Sequence, residues 1–271
     1  MIKVEWMRQT RRLRTWMCIA ALAGLPIVFS VSLYLDPPRR FRETNLFTLA
    51  TNSGLNVAVA ALIFMSQFFL VVVVAAFAGE TVSGEATWGT LRYLLVRPVS
   101  RARLVLSKVF VAYVLTLMAI VAIVGAALIA GTIAFGWNDA FVIDRSFAFP
   151  LPVTISPAEA LGRLALSSGY VGLTMLVVVA IGVLLSTLTD STAGAVVGSI
   201  VVIVASGVLA SLPSLDQIKP LLPTRYWDQW QHLYFGESAA DMWKGTASAL
   251  IWSVLIVAFT VWRFQRKDIL S

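Results

Sequence analysis

The stretch Gly79–Lys108, GETVSGEATWGTLRYLLVRPVSRARLVLSK, is a polar segment with seven charged residues between two long apolar runs. Its middle predicts a short amphipathic helix, because Trp88, Leu91 and Leu95 fall at helical spacing on one side. Ser83 is a candidate N-cap for that helix, and a proline at position 98 ends it. The basic residues that follow lead into the next apolar run, which is typical of the cytoplasmic edge of a membrane.

The composition of the chain indicates an all-α integral membrane protein. Of its 271 residues 59% are hydrophobic and only 13% are charged, and the mean hydropathy is +0.84. The net charge of +7 does not indicate a nucleic-acid partner, because the basic residues stand beside apolar runs rather than in a separate basic domain. Cys18 and His232 are the single residues of their types, which disfavours a metal site built from such ligands.

Six apolar runs predict six membrane-spanning helices in one transmembrane domain, 1–271, since about twenty apolar residues cross a hydrocarbon core of about 30 Å. The predicted spans are 16–35, 55–78, 104–135, 162–188, 194–212 and 246–262. Residues 1–15 are basic and amphipathic and predict an interfacial helix, with a cleaved signal peptide as the alternative. Six spans place both termini on one side, and the balance of Lys and Arg predicts that this side is the cytosolic face of the plasma membrane.

The order of residues in the segment 79–103 resembles the signature between the second and third spans of ABC-2 type transporter permeases. The matching positions are Glu80, Glu85, Gly89-Thr90-Leu91, Leu94-Leu95, Arg97-Pro98-Val99-Ser100-Arg101 and Lys108. The resemblance covers nearly the whole six-span plan and the tail Arg266-Lys267-Asp268. In that family the segment is a cytosolic coupling helix that docks on a separate ATP-hydrolysing subunit. A charged loop that only sets the topology is the alternative.

The resemblance assigns roles to individual residues of this segment. It implies apolar docking contacts by Trp88, Leu91 and Leu95, and polar docking contacts by Glu80, Glu85 and Arg92. It also implies that the return to the membrane is anchored by Arg97, Pro98, Arg101 and Lys108.

The chain has no Gly-x-x-x-x-Gly-Lys-Ser/Thr phosphate loop. We therefore expect it to be no enzyme and to bind no cofactor, with ATP and Mg²⁺ held by a partner ABC ATPase subunit. The resulting hypothesis is a permease subunit that exports an apolar or amphipathic substrate. The alternatives are a membrane scaffold and a channel or carrier that works without an ATPase, and copurification of an ATPase would discriminate between them.

Two further features bear on the transport path and on assembly. Gln67 is the polar residue within a span that we expect to line the translocation path. Ala20 with Gly24, and Gly194 with Gly198, are pairs of small residues that let helices approach closely. Packing within one chain explains such pairs, but the resemblance implies that two permease copies, identical or homologous, meet through their first and fifth spans.

The residues 224–235 form an aromatic-rich stretch in the last outer loop. We interpret it as a belt of aromatic side chains anchored at the lipid interface, with a contact to the transported molecule as the alternative.

Overall fold

The computed structural model describes residues 1–36, 50–87, 100–144, 151–235 and 239–266. Within these ranges the protein is an all-α integral membrane protein, which confirms the predicted fold class. Five of its helices are long and apolar enough to cross a membrane, and a bent pair of helices makes a sixth if it is counted as one span.

The helices of the described ranges lie close to the predicted spans. They are α1 (Ile2–Thr10), α2 (Leu13–Leu35), α3 (Gly54–Gln67), α4 (Phe69–Thr87), α5 (Arg101–Phe135), α6 (Pro157–Leu188), α7 (Thr192–Ser211) and α8 (Met242–Arg266). The start of α6 follows from local chemistry, because Ser156 accepts a hydrogen bond from the amide of Glu159 and Pro157 occupies the first helical position.

The second predicted span is not one continuous helix. It is bent by 52° between α3 and α4, and Phe68 at the break has a non-helical backbone (φ −137°, ψ −56°). Neither proline nor glycine stands at the break. The Ser66 hydroxyl donates to the carbonyl of Ile63 and so competes with the helical ladder, while the Gln67 side-chain amide holds the break against Asp228.

The centre of the bundle is the crossing of α4 and α6. A Cβ atom added to Gly182 of α6 would lie 2.6 Å from the Cβ of Ala78, so the two backbones approach more closely than a larger residue permits. The hydroxyl of Ser186 reinforces this crossing by accepting hydrogen bonds from the amides of Val82 and Ser83 at 2.9 and 2.8 Å. Around this pair α5 packs on α2 and α3, α7 packs on α4, and α8 packs on α6.

A short antiparallel hairpin, β1 (Ala140–Asp144) and β2 (Leu151–Ile155), follows α5 and was not predicted. Gly136 ends α5 with φ +80°, a backbone conformation that favours glycine. Asn56 of α3 holds the first strand, since its amide donates to the carbonyl of Phe141 and its carbonyl oxygen accepts from the amide of the same residue.

The aromatic stretch 224–235 does not form the predicted interfacial belt as a whole. Trp230 is 1% exposed and Tyr234 is 5% exposed, and their rings meet edge to face at 6.2 Å. Tyr234 also receives a hydrogen bond from Ser167, while the Tyr170 hydroxyl donates to the carbonyl of Tyr226 at 2.6 Å. The stretch is therefore a packed cap on the N-terminal half of α6, because aromatic burial and hydrogen bonds hold it against the bundle.

Candidate functional site

Charged residues from the first fourteen positions, from α4 and from α5 form an ion cluster that the sequence does not reveal. We use this name for Glu5, Arg8, Arg12, Arg14, Glu80, Glu85 and Lys108. At its centre the Lys108 ammonium lies 2.6 Å from a Glu85 carboxylate oxygen and 3.4 Å from Glu5. It also donates to the carbonyl of Thr81 at 2.6 Å, and Arg8 makes a further ion pair with Glu85.

The central pair of the ion cluster is almost fully enclosed. The side chains of Lys108 and Glu85 are each 1% exposed. Removing such charges from water costs several kcal/mol per ion, so burial requires that every charge meets an opposite charge or a polar group. Here the lysine meets two carboxylates and one carbonyl oxygen, which satisfies all three of its donors.

The edge of the ion cluster joins the N-terminal residues to α4. Glu80 pairs with Arg12 at 3.0 Å and with Arg14. Burial lowers the pKa of Arg12, the charge of Arg8 lowers it further, and the charges of Glu5 and Glu85 oppose the change. The ordinary pKa of arginine is so high that the guanidinium stays charged.

The structure changes the interpretation of three residues in the opening stretch. Ser83 does not begin a helix, because α4 runs on to Thr87 and the Ser83 hydroxyl bonds the carbonyl of Gly79 at 2.7 Å. Glu85, predicted as a docking contact, points into the ion cluster and is 0% exposed. Lys108, predicted as an anchor at the membrane surface, is enclosed with it. The reason is helical phase, since Leu104, Lys108 and Val111 share the inward face of α5.

Arg101, another predicted anchor, has a different partner. Its guanidinium donates to the carbonyls of Phe264 and Gln265, both at 3.2 Å, at the C-terminal end of α8. A cation at this position satisfies carbonyls that have no partner within their own helix and meets the negative end of the helix dipole. Arg101 therefore joins the start of α5 to the end of α8. The other residues assigned to docking and anchoring lie outside the described residues: Trp88, Leu91, Arg92, Leu95, Arg97 and Pro98.

Sequence reasoning missed the acidic and basic partners in the N-terminal helix. Glu5 and Arg8 were interpreted as part of a surface helix, although α1 packs on α5 and Glu5 is 8% exposed. A weak signal was present, because Glu5 and Gln9 lie one helical turn apart on the face that the structure buries. The identity of the partners depends on contacts between residues about one hundred positions apart, which a single sequence does not show.

The opposite end of α4 carries a second polar site. Gln67 lies at the break between α3 and α4, and its amide donates to the Asp228 carboxylate at 2.6 Å. Burial raises the pKa of Asp228, whereas this hydrogen bond and the charge of His232 lower it. Burial likewise raises the pKa of Tyr234 to about 12, so the phenol is neutral. Gln67 also borders a cavity of about 400 Å³.

The small residues predicted to meet a second copy fall into two groups. Ala20 is exposed, and a Cβ atom on Gly24 would meet no atom within 4 Å, so this face of α2 is open in the single chain. Gly194 is exposed, but a Cβ atom on Gly198 would lie 3.2 Å from Leu185 of α6. Packing within the chain therefore accounts for Gly198.

Comparison with known proteins identifies one family. A family model described as "Protein of unknown function (DUF2705)" matches residues 25–270, which is most of the chain. No curated protein matches the chain. Within the described ranges no group of three or more His, Cys, Asp and Glu side chains is arranged to hold a metal ion.

Proposed function

The chain belongs to the DUF2705 family, whose function is unknown, and we propose that it is the membrane subunit of an ATP-driven transporter. In this proposal a separate ATPase chain docks on the segment 79–103 and drives the export of an apolar or amphipathic substrate. The observation that carries the proposal is the ion cluster, which joins the helices on both sides of the segment 88–99.

The position of the ion cluster is what favours a mechanical role. In the chain the segment 88–99 comes between α4 and α5, and Glu85, three residues before it, pairs with Lys108, nine residues after it. The same pair is held by Glu5 and Arg8 of α1. A displacement of the segment would therefore move the ends of both spans and the N-terminal helix together. A loop that only sets topology needs basic residues, but it needs no buried carboxylates.

The energetics point in the same direction. A buried ion pair adds little stability compared with apolar residues of similar volume, and its best attested role is to specify one arrangement among several. We propose that the ion cluster holds one arrangement of α1, α4 and α5, and that the docked ATPase changes this arrangement. Both termini then lie in the cytosol, and ATP and Mg²⁺ are bound by the partner.

The first experiment is purification of the tagged protein from its native membrane in mild detergent. We expect a P-loop ATPase to copurify with the wild type and to be lost from a Trp88→Ala/Leu91→Ala variant. The matched control is Leu221→Ala/Trp243→Ala, which removes two side chains outside the segment that are each 67% exposed. Absence of an ATPase from the wild type would contradict the proposal and favour a channel or carrier.

A second experiment separates a transporter subunit from a scaffold that only recruits the ATPase. Glu80→Gln removes the carboxylate that binds Arg12 and Arg14, while Glu159→Gln removes the carboxylate that binds Arg163 at 2.6 Å. We expect the ATPase to copurify with both variants, but its hydrolysis of ATP to fall only in the Glu80→Gln complex. Equal rates of hydrolysis in the wild type and both variants would favour the scaffold.

A further inference from the structure

A cavity of about 400 Å³ lies where the second span is broken, between α4, α7 and the aromatic cap. Phe68 and Val71 border it on one side, Ile203 and Gly207 of α7 on another, and Arg225 and Asp228 of the cap on a third. Its volume falls within the range of about 300–1,000 Å³ that is usual for small-molecule sites. The ion cluster lies at the other end of α4. At a rise of 1.5 Å per residue, Phe69 and Glu85 are about 24 Å apart along the helix.

The lining of the cavity is divided by chemistry. Apolar side chains of α4 and α7 form one wall, including Val71, Ile203 and Val208, and polar side chains from the cap and the break form the other. Such a division fits a molecule with an apolar body and a polar head group, because each part then meets matching groups.

The basic residues on this side of the bundle indicate the charge of that head group, because one of them borders the cavity without an acidic partner among the described residues. Lys219 binds Asp216, Lys244 binds Asp241 and Arg163 binds Glu159, each at 2.6 Å. Arg225 borders the cavity and makes no ion pair within the described part of the chain. A guanidinium in this setting favours a phosphate or a carboxylate, which it can bind through two parallel hydrogen bonds.

The other charged group that borders the cavity is Asp228, whose carboxylate is held by side-chain amides. The Asp228 carboxylate already accepts hydrogen bonds from Gln67 at 2.6 Å and from Gln231 at 3.1 Å. The N-terminal end of α4 begins beside the cavity at Phe69, but the C-terminal end of α7 borders it at Ala210 and Ser211, so the two helix dipoles offset each other and the charge preference rests on Arg225.

We infer that this cavity binds an amphipathic molecule with an anionic head group, whose phosphate or carboxylate meets Arg225 and whose apolar body lies against α4 and α7. The inference goes beyond the proposed function, because it concerns binding by this chain alone and holds with or without an ATPase.

The test uses the full-length protein in phosphatidylcholine nanodiscs and measures binding of radiolabelled decyl phosphate by scintillation proximity, with empty nanodiscs subtracted. We expect saturable binding of decyl phosphate, and competition by neither decyltrimethylammonium nor inorganic phosphate at the same concentration. Equal competition by the cationic amphiphile would overturn the assigned charge. Equal competition by inorganic phosphate would overturn the role of the apolar wall.

Two variants with matched controls locate the site. Gly207→Leu fills the cavity, and its control is Gly125→Leu, because a Cβ atom at either glycine would meet nothing within 4 Å and only Gly207 borders the cavity. Arg225→Gln removes the cation that has no ion pair among the described residues, and its control is Lys244→Gln. We expect each cavity variant to bind decyl phosphate about tenfold more weakly or worse, as loss of a charged hydrogen bond implies for Arg225. Unchanged binding by both cavity variants would refute the inference.

Discussion

Replacement of Lys108 by methionine tests whether the ion cluster is closed in the folded protein. Methionine keeps much of the length of the side chain and removes only the ammonium group. The carboxylates of Glu85 and Glu5, whose side chains are 1% and 11% exposed, then face each other without the cation that separates them. The carbonyl of Thr81 also loses its hydrogen-bond donor.

The size of the effect follows from this geometry. Removal of one partner from a buried ion pair costs about 3–5 kcal/mol, because the remaining charge stays buried without compensation. Arg8 keeps its contact with Glu85, so we expect a value near the lower end of that range. For a chain of this size about 3 kcal/mol corresponds to a fall in Tm of roughly 6–12 °C.

The assay is thermal unfolding of the detergent-solubilised protein, followed by loss of the monodisperse peak in size-exclusion chromatography. Lys244→Met is the control, since it breaks a surface pair with Asp241 whose side chains are about half exposed, and such pairs stabilise proteins little. In a Lys108→Met/Glu85→Gln variant we expect part of the lost stability to return, because the more deeply buried carboxylate has become neutral and Arg8 remains near Glu5. A Tm for Lys108→Met equal to that of the wild type would refute the closed ion cluster.

Three further outcomes are expected. Because burial raises the native pKa of Asp228, the native state binds more protons than the unfolded chain above the ordinary pKa of about 3.9, so stability falls as pH rises through the window up to the raised value. Asp228→Asn should remove this part of the pH dependence while keeping an acceptor for Gln67, and identical pH profiles of Tm would contradict the assignment. Tyr170→Phe removes a hydrogen bond to a main-chain carbonyl and should lower the free energy of unfolding by about 1 kcal/mol. The control is Tyr113→Phe, because the Tyr113 hydroxyl has no partner in the described part of the chain. Its thermal unfolding curve should shift less than that of Tyr170→Phe. Gly24→Leu should weaken a dimer through the open face of α2 without disturbing the monomer, and unchanged crosslinking between copies would remove α2 from that interface.

The residues near the break and in the cap show why part of the candidate sites could not be predicted. Gln67 was selected from the sequence because it is a polar residue in an apolar run, and it does border the cavity. Its partner Asp228 is 161 positions away. The sequence placed Arg225 and Trp230 in an outer loop and gave no reason to expect one to be buried and the other exposed. Only the fold distinguishes Trp230, which is buried, from Arg225, which faces the cavity.

The sequence by itself determined the membrane class and the approximate bounds of five long helices, because crossing a bilayer requires about twenty apolar residues and this demand is local to each segment. It also marked 79–108 as an unusual charged interruption. The tertiary structure alone decided which charges of that interruption are buried and which N-terminal residues they meet. It also decided where the second span bends. These features depend on helical phase and on contacts between distant segments, and the free energy of a buried ion depends on the partner that the fold brings to it.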